Sequence, residues 1–396
     1  MKRREFIRGA AIGAGAAATT TLAAPAVAQA AKDMVIVSTW PRDFPGLGIP
    51  AQRLAARIEE LTDGSIRVQY YAAGERVGAF DSFDEVASGN AQAYTAADYY
   101  WKDKHQAFVP FTSIPFGLVA SEQAAWIYGR GGQELWDEVA DQFGLINFAM
   151  GNTGVQMGGW FNKEINSPDD LKGLKMRIPG DGGDVYARLG ASPVALPGAQ
   201  IYENLVSGAI DATEWVGPWN DYFLKFYEAA QYYYWPGMHE PGGHVALGIN
   251  KAWWSTLAKN EQEIIKSACA EENIRTMAET NANNGEYLRR LVEEHGVELR
   301  EFNDEVYGAF AEAAQEVFEV AREHSDLAKR VYDAVDATRR EVGNWLTHAD
   351  VSYSVKRNRA LGIGEASAAG GGMAAGAGCP PEVRALADAV RNLVGQ

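Results

Sequence analysis

Four polar residues interrupt apolar stretches in the middle of this sequence, and their side chains could together bind an ion or a small acid. Glu214 lies in AIDATEWVGPWND, directly before Trp215. Gln156 lies in GNTGVQMGGW, Arg177 in LKMRIPG and Glu240 in GMHEPGG. Burying a carboxylate such as Glu214 is costly unless a cationic side chain, a metal ion or water compensates its charge. The nature of that partner decides the function of the site.

Arg177 lies at the end of a predicted strand and is followed by a Pro-Gly turn, which is where ligands of α/β proteins bind. Its planar guanidinium can hold a carboxylate through two parallel hydrogen bonds. The residues alone leave two interpretations open: Arg177 binds an anionic ligand, or it forms a salt bridge with Glu214 that ties two strands together. Taken singly, Gln156 is typical of a surface amide and Glu240 of a turn residue.

The segments that must position these residues alternate between strand-like and helix-like patterns. Strands are predicted at 33–40, 209–216 and 244–250, for example, and a helix at 121–143. Repeated strand–helix–strand units predict an α/β architecture whose sheets are covered on both faces. Because the unit size changes along the chain, we expect two lobes, with the chain crossing between them more than once and a ligand cleft at the hinge.

The predicted organisation has four parts, and both lobes are discontinuous in sequence. The parts are an export signal (1–30), a first lobe (31–153 and 245–296), a second lobe with the C-terminal helices (154–244 and 297–361), and a Gly/Ala-rich linker with a short terminal helix (362–396). The first part has paired arginines before Phe6, an uncharged stretch and a small-x-small end. This pattern is typical of a twin-arginine signal peptide and predicts a periplasmic protein. An amphipathic helix of a cytosolic protein is disfavoured by the lack of charge.

Charge and cysteine content narrow the function further. The signal carries a net charge of +3, so its removal takes the formal charge from −16 to −19. Such an acidic surface argues against nucleic acid and anionic membranes as partners. Cys269 lies in a helical stretch and Cys379 in the Gly/Ala-rich tail. The compartment permits a disulfide between them, but we expect the pair to be incidental.

Two motif matches that would indicate an enzyme are weak. GLGIPA fits a dinucleotide-binding fingerprint, but it follows its strand too loosely, and the next strand has no acid for a ribose. HEPGGH spaces its histidines by five residues, and its proline and glycines exclude the helix that a zinc protease needs. No Gly-x-Ser-x-Gly elbow is present. The sequence therefore favours a binding protein.

Three segments taken together resemble the periplasmic solute receptors of tripartite ATP-independent periplasmic (TRAP) transporters. LKGLKMRIPG marks the superfamily, whereas GAIDATEWVGPWND and YYYWPGMHEPGG are similar to the branch that binds 2-oxo monocarboxylates such as pyruvate, and its lactate-binding relatives. The resemblance runs from about Met34 to about Leu361. It implies an α/β, two-lobed periplasmic binding protein fold with a hinge cleft and long C-terminal helices.

The resemblance also implies a role for each polar residue singled out above. The strand arginine, Arg177, would bind the carboxylate of the ligand. A metal ion, Na⁺ or Ca²⁺, would be chelated by the ligand and held by Gln156, Glu214 and the backbone carbonyl of Trp215. Glu240 would be a further residue of the ligand and metal site. The Trp215 ring and an aromatic residue of YTAADYYW, Tyr99 or Tyr100, would form apolar walls.

For partners, the resemblance implies a small carboxylate ligand, the membrane permease subunits of the transporter and a homodimer formed through the helices at 305–346. A helix that braces the two lobes of a monomer is the alternative for that region. Two alternative functions remain open. One is a periplasmic enzyme that acts on small 2-oxo or 2-hydroxy acids, and the other is a receptor of the same fold for a different carboxylate, such as an aromatic or dicarboxylic acid.

The export signal gives the first prediction. Replacing Arg3 and Arg4 by lysine should leave the precursor in the cytoplasm with residues 1–30 uncleaved, because the twin-arginine machinery recognises the arginine pair. Fractionation and mass measurement of the N-terminus check this. Normal amounts of mature protein in the periplasm would instead indicate the general secretory route.

Overall fold

The computed structural model describes residues 31–363. Eleven strands lie within this range: β1 (Lys32–Ser38), β2 (Ile66–Tyr71), β3 (Ala93–Ala96), β4 (Leu145–Asn152), β5 (Gly159–Phe161), β6 (Lys175–Arg177), β7 (Ser192–Val194), β8 (Ala212–Thr213), β9 (Tyr232–Trp235), β10 (His244–Asn250) and β11 (Glu298–Glu301). They form two separate sheets, with the orders β2-β1-β3-β10-β4 and β11-β9-β5-β8-β6-β7. We call the parts built on these sheets the first and the second lobe.

Helices cover both sheets. In chain order they are α1 (Gly48–Leu61), α2 (Ser82–Ala87), α3 (Val109–Thr112), α4 (Ala120–Gly129), α5 (Gly132–Asp141), α6 (Gly180–Arg188), α7 (Gly198–Val206), α8 (Pro218–Leu224), α9 (Lys251–Trp254), α10 (Lys259–His295), α11 (Asp304–Glu323), α12 (Asp326–Thr338), α13 (Asn344–Leu346) and α14 (Ser352–Leu361). Two π-helical segments, Arg339–Gly343 and Thr347–Val351, join the last three helices into one long rod. The predicted fold class, an α/β protein with two sheets and long C-terminal helices, is confirmed.

The order of the strands in the two sheets shows where the chain passes from one lobe to the other. β10 runs antiparallel between β3 and β4 in the first sheet, although the strand before it, β9, belongs to the second sheet. The chain therefore crosses between the lobes at 153–158, again at 236–243, and a third time through α10. The first two crossovers carry Gln156 and Glu240. The exact domain boundaries given above stay predictions.

Three local expectations differ from the structure. The helix expected at 121–143 is broken at Gly131, whose φ of +80° is a left-handed conformation that glycine adopts readily. The strand expected at 209–216 is reduced to Ala212–Thr213, so Glu214 lies just after the strand rather than within it. The segment YYYW was not predicted as a strand. Tyrosine has an apolar ring and a polar hydroxyl, so the segment shows no alternation of apolar and polar residues. It forms β9, with Tyr233 and Tyr234 buried.

The long helices connect the lobes. α10 packs against β4 of the first lobe and against α8 of the second. α11 packs on α6 of the second lobe, whereas α12 packs on α11 and on α3, α4 and α5 of the first lobe. The C-terminal region thus makes the contacts of a brace. Between residues 31 and 363, no helix is both long and apolar enough to cross a bilayer.

The predicted signal peptide and nearly all of the predicted tail, including Cys379, lie outside the described residues. Cys269 is buried in α10.

Candidate functional site

The two crossovers run side by side between the lobes. The amide of Gln156 donates to the carbonyl of Glu240 at 3.0 Å, and the amide of Gly237 donates to the carbonyl of Gln156 at 3.0 Å. Further along, the amide of Thr153 donates to the carbonyl of Gly243 at 3.0 Å. These backbone bonds hold the two segments as an irregular ribbon at the hinge.

A buried ion pair joins β6 to the residue that follows β8. The register places Arg177 beside Thr213, and the Arg177 Nη1 group forms a salt bridge with the Glu214 carboxylate. The same nitrogen donates to the Glu214 carbonyl at 3.2 Å, and Nε donates to the carbonyl of Leu196 at 3.1 Å. Both side chains are essentially inaccessible to solvent, 1% and 0% exposed. The salt bridge that the sequence allowed is therefore present.

A second group of polar side chains surrounds the same carboxylate. His239 Nε2 lies 3.1 Å from Glu214 Oε2. Glu240 follows directly, and ligand atoms of Glu214, His239 and Glu240 all lie within 4.8 Å of one another. The Gln156 amide donates to Glu240 Oε2 at 2.7 Å and to the Thr153 hydroxyl at 3.1 Å. Gln156 and Glu240 are 3% and 5% exposed, so the interpretation of Gln156 as a surface amide is wrong.

Two buried carboxylates this close raise the cost of holding both charges. Burial and the neighbouring charge of Glu214 raise the pKa of Glu240 to about 7. Burial alone would lower the pKa of His239, but its hydrogen bond to Glu214 and the charge of that carboxylate raise it. The positive charge near Glu214 and Glu240 is therefore too small to stabilise both carboxylates in their charged form.

Several polar atoms of the site have no partner within residues 31–363. They are the side-chain oxygen of Gln156, the Nη2 group of Arg177 and the indole nitrogen of Trp215. A buried donor or acceptor without a partner costs about 1–3 kcal/mol. The Gln156 oxygen suits a cation, whereas the two nitrogens are donors that suit an anion. The ion pair therefore leaves the Nη2 group of Arg177 without a partner among residues 31–363.

A small cavity lies beside this cluster. Of the residues predicted from the sequence, Gln156, Trp215, Glu240 and Tyr100 line it. Tyr99, the alternative to Tyr100, lines it as well. Arg177 and Glu214 lie behind this lining, with the Arg177 guanidinium 5.1 Å from the centre of the Trp215 ring.

The first lobe closes over Trp215. The Phe44 ring packs edge-on against the Trp215 ring at 6.1 Å, and Asn220 Nδ2 donates to the carbonyl of Pro45 at 2.6 Å. Trp40 and Leu47 add apolar surface to the cavity. Contacts from both lobes thus enclose the candidate site.

Some residues of the site were not predicted from the sequence. His239 was considered only as part of HEPGGH and set aside with the zinc motif, although its position beside Glu240 was a usable signal. Thr153 and His244 also line the cavity, and they carry no sequence signal by themselves. Burial lowers the pKa of His244 to about 4, so it is neutral at physiological pH.

The donor set fits a hard cation. Glu214 and Glu240 offer carboxylate oxygens and Gln156 offers an unused amide oxygen, which are the ligand types that Na⁺ and Ca²⁺ take. A cation there would relieve the repulsion between the two carboxylates and satisfy the Gln156 oxygen. The residues present therefore fit the ion that the resemblance implies.

The fold and site define a solute receptor, and comparison with known proteins shows its family. The family model described as bacterial extracellular solute-binding protein, family 7, matches residues 37–324. The chain belongs to this family. The predicted likeness to TRAP solute receptors is thereby confirmed.

Individual relatives agree. The chain is 40% identical over 361 residues to the monocarboxylate 2-oxoacid-binding periplasmic protein of a Nostoc species, covering 89% of this chain and 98% of that protein. It is similar to a TRAP solute-binding protein from Pseudoalteromonas atlantica with bound sodium and pyruvate, with 37% identity, a TM-score of 0.79, and 82% and 98% of the two chains covered. A TRAP solute-binding protein from Colwellia psychrerythraea with bound calcium and pyruvate has 36% identity and a TM-score of 0.80, with 82% and 99% covered.

The raised pKa of Glu240 gives a prediction about stability. A carboxyl whose pKa is higher in the folded than in the unfolded chain stabilises the fold fully below pH 4, and this contribution is lost as the pH rises through about 7. In ion-free buffer, Glu240→Gln should therefore gain stability relative to wild type between pH 4.5 and 8, by roughly 1–3 kcal/mol. Urea unfolding across this pH range measures it.

The exposed Glu312 of α11 provides the matched control. Glu312→Gln should show a nearly constant difference from wild type over the same range. A constant difference for Glu240→Gln would contradict the prediction.

Proposed function

We propose that this protein captures a small 2-oxo or 2-hydroxy monocarboxylate together with Na⁺ or Ca²⁺ in its cleft and delivers the acid to the membrane permease of a TRAP transporter. One observation carries the proposal. Buried carboxylates with an unused amide oxygen lie next to the unused donors of Arg177 and Trp215, beside a small cavity. Such a site offers a place for a cation and a place for an anion side by side.

The cation would be held by Gln156 Oε1, the carboxylates of Glu214 and Glu240, and the backbone carbonyl of Trp215. The ion would replace part of the charge compensation that Arg177 gives Glu214 in the present structure. It would also lower the pKa of Glu240, since a nearby positive charge favours the carboxylate.

The carboxylate of the acid would bind the Nη2 group of Arg177, which has no partner among the described residues, with the indole N–H of Trp215 as a further donor. The rings of Tyr100 and Trp215 would cover its short carbon chain. An oxygen on the second carbon would complete the coordination of the ion. A plain carboxylate lacks that oxygen and leaves the position to water, so selectivity follows from the ion.

Similar receptors of known structure bind an acid together with a metal ion, which supports the proposal. Receptors that are 36–37% identical to this chain contain pyruvate with sodium or calcium. A further receptor from Bordetella bronchiseptica, 32% identical with a TM-score of 0.82, is a mixed-occupancy dimer with copurified calcium and picolinate. Picolinate places a nitrogen where a 2-oxo acid has its oxygen. An aromatic acid is therefore the second candidate ligand.

We also propose that residues 1–30 direct export by the twin-arginine route and that the mature receptor works in the periplasm. The proposal assigns Gln156, Glu214 and Glu240 to holding an ion and Arg177 to holding an acid, so we expect capture and release without turnover. Incubation of pyruvate or lactate with the purified protein, followed by product analysis, distinguishes this from the enzyme alternative.

The decisive experiment measures the affinity for pyruvate with and without the ion. In wild type, removal of Na⁺ and Ca²⁺ should weaken binding more than tenfold, because the two ligands are positively coupled. Glu214→Gln keeps the shape but loses the charge, so the effect of the ion on pyruvate affinity should largely disappear.

Arg177→Lys should weaken pyruvate binding by roughly 1.5–3 kcal/mol at every ion concentration. Calorimetry with lactate, picolinate and acetate in parallel ranks the ligand classes.

Glu214→Gln also breaks a buried ion pair, so a matched control is needed. Glu272, itself buried, forms a partly buried pair with Arg53 in the first lobe, and neither residue lines the cavity. Glu272→Gln should lower stability and leave the effect of the ion on affinity intact. An ion effect of equal size in wild type and Glu214→Gln would show that Glu214 holds no ion and serves only as the partner of Arg177.

We propose, finally, that two copies of the chain associate through the C-terminal rod. Its last part exposes large apolar side chains, with Trp345 66% and Tyr353 65% exposed. Such exposure is unusual in a monomer and favours a protein partner. One similar structure is a dimer, which makes a second copy the expected occupant.

Sedimentation equilibrium tests this association. The double variant Trp345→Glu with Tyr353→Glu should be monomeric where wild type is dimeric. Val206→Glu, at a similarly exposed apolar position on α7, should leave the dimer unchanged. A monomeric wild type would leave only the bracing role of these helices.

A further inference from the structure

A buried carboxylate joins the two lobes on the far side of the cavity wall. Asp181, in the first turn of α6, has a side chain that is 0% exposed. Gln106 Nε2 donates to its Oδ1 at 2.8 Å, and the Tyr332 hydroxyl donates to its Oδ2 at 2.5 Å. Lys102 Nζ lies 3.9 Å from Oδ1 and forms a salt bridge with Asp184, one turn along α6. We call Lys102, Gln106, Asp181, Asp184 and Tyr332 the interlobe cluster.

The members of the cluster come from different lobes. Asp181 and Asp184 belong to the second lobe. Lys102 and Gln106 follow β3 of the first lobe, and Tyr332 lies on α12, which packs against first-lobe helices. The Gln106 amide also donates to the Tyr332 hydroxyl at 2.8 Å, so the first-lobe side presents its donors as one connected group.

The cluster is linked directly to the groups that would hold the ligand. The first-lobe segment that carries Lys102 begins with Tyr99 and Tyr100, which line the cavity. On the other side, α6 begins three residues after Arg177. The backbone of Gly180 lies close to the Tyr99 side chain, because a Cβ atom on Gly180 would lie 3.4 Å from the Tyr99 ring. A shift of α6 away from Gln106 would therefore also separate Arg177 from the tyrosines.

Burial makes the Asp181 carboxylate dependent on its donors. Burial raises the pKa of Asp181 to about 6, because the charged carboxylate is less well solvated here than in water. When the lobes separate, water can solvate the carboxylate. When they close, that water is lost. Each hydrogen-bond donor that is then missing raises the free energy of the closed form relative to the open form.

We propose that the interlobe cluster is a latch that sets how long the receptor stays closed, with Gln106, Tyr332 and Lys102 as positioning residues for ligand retention. The inference rests on the proposed function, because it assumes that closure retains a ligand. None of these residues contacts the ligand in the proposed site. The cluster acts on the rate of opening.

The first test needs no ligand. Tyr332→Phe removes one hydroxyl and keeps the ring, so the packing of α12 should be preserved. Hydrogen exchange of the ligand-free protein should then speed up in segments 98–106 and 180–188, about tenfold for a lost hydrogen bond to a buried carboxylate. Gln106→Met should do the same. Tyr234→Phe is the control, because the Tyr234 hydroxyl is buried and accepts from the amide of Ile165 within the second lobe.

The second test measures dissociation of pyruvate in the presence of Na⁺ or Ca²⁺ by stopped flow. Tyr332→Phe and Gln106→Met should release pyruvate about tenfold faster than wild type, with little change in the association rate. Tyr234→Phe should release it at the wild-type rate. A merely structural role of Tyr332 would lower thermal stability without changing the dissociation rate.

The outcomes separate this inference from the proposed function. If exchange in both segments and pyruvate release are unchanged in Tyr332→Phe and Gln106→Met, the latch is overturned. If wild type fails to bind pyruvate with either ion, the proposed function fails, and the exchange measurement alone decides the latch. Faster exchange confined to the two segments supports the latch in either case.

Discussion

The buried pair of Arg177 and Glu214 is the interaction on which the site depends. Neither charge could lie in this interior alone, since an isolated buried ion costs several kcal/mol. Their pairing fixes the strand β6 against β8 and places the peptide of Trp215 at the cavity. It also leaves the Nη2 group of Arg177 without a partner among residues 31–363, and His239 and Glu240 lie around the carboxylate. In the proposed site, the same two side chains would therefore give structural support and bind the ligands.

The crossovers explain why residues distant in sequence meet at this pair. Gln156 and Glu240 are more than eighty residues apart, but their backbones are hydrogen-bonded to each other. Each lies on a segment that leaves one sheet for the other, so neither lobe alone contains the complete cluster. Folding of both lobes is required before the site exists, which keeps costly carboxylates solvated until their partners are present.

The sequence predicted the class of fold and most of the site for identifiable reasons. The alternation of strands and helices predicted the α/β class. Polar residues within apolar stretches singled out Glu214 and Glu240, and the resemblance added Trp215. Patterns of hydrophobicity could not show β9, because its tyrosines bury their rings and bond their hydroxyls. They could not show His239 or Asp181 either, since the importance of each comes from a partner in another segment. Long-range pairing is the information that local patterns lack.

The paired crossovers are the natural axis for a rotation of one lobe against the other. When the lobes rotate about this ribbon, the displacement of an atom grows with its distance from the axis. Gln156 and Glu240 lie on the ribbon itself and move least, whereas Lys102 and Asp184 lie on segments that extend away from it. The side chains of Gln156 and Glu240 would therefore stay together while the aromatic walls part. In the proposed site, a cation would then bind before the acid and supply the positive charge that attracts it.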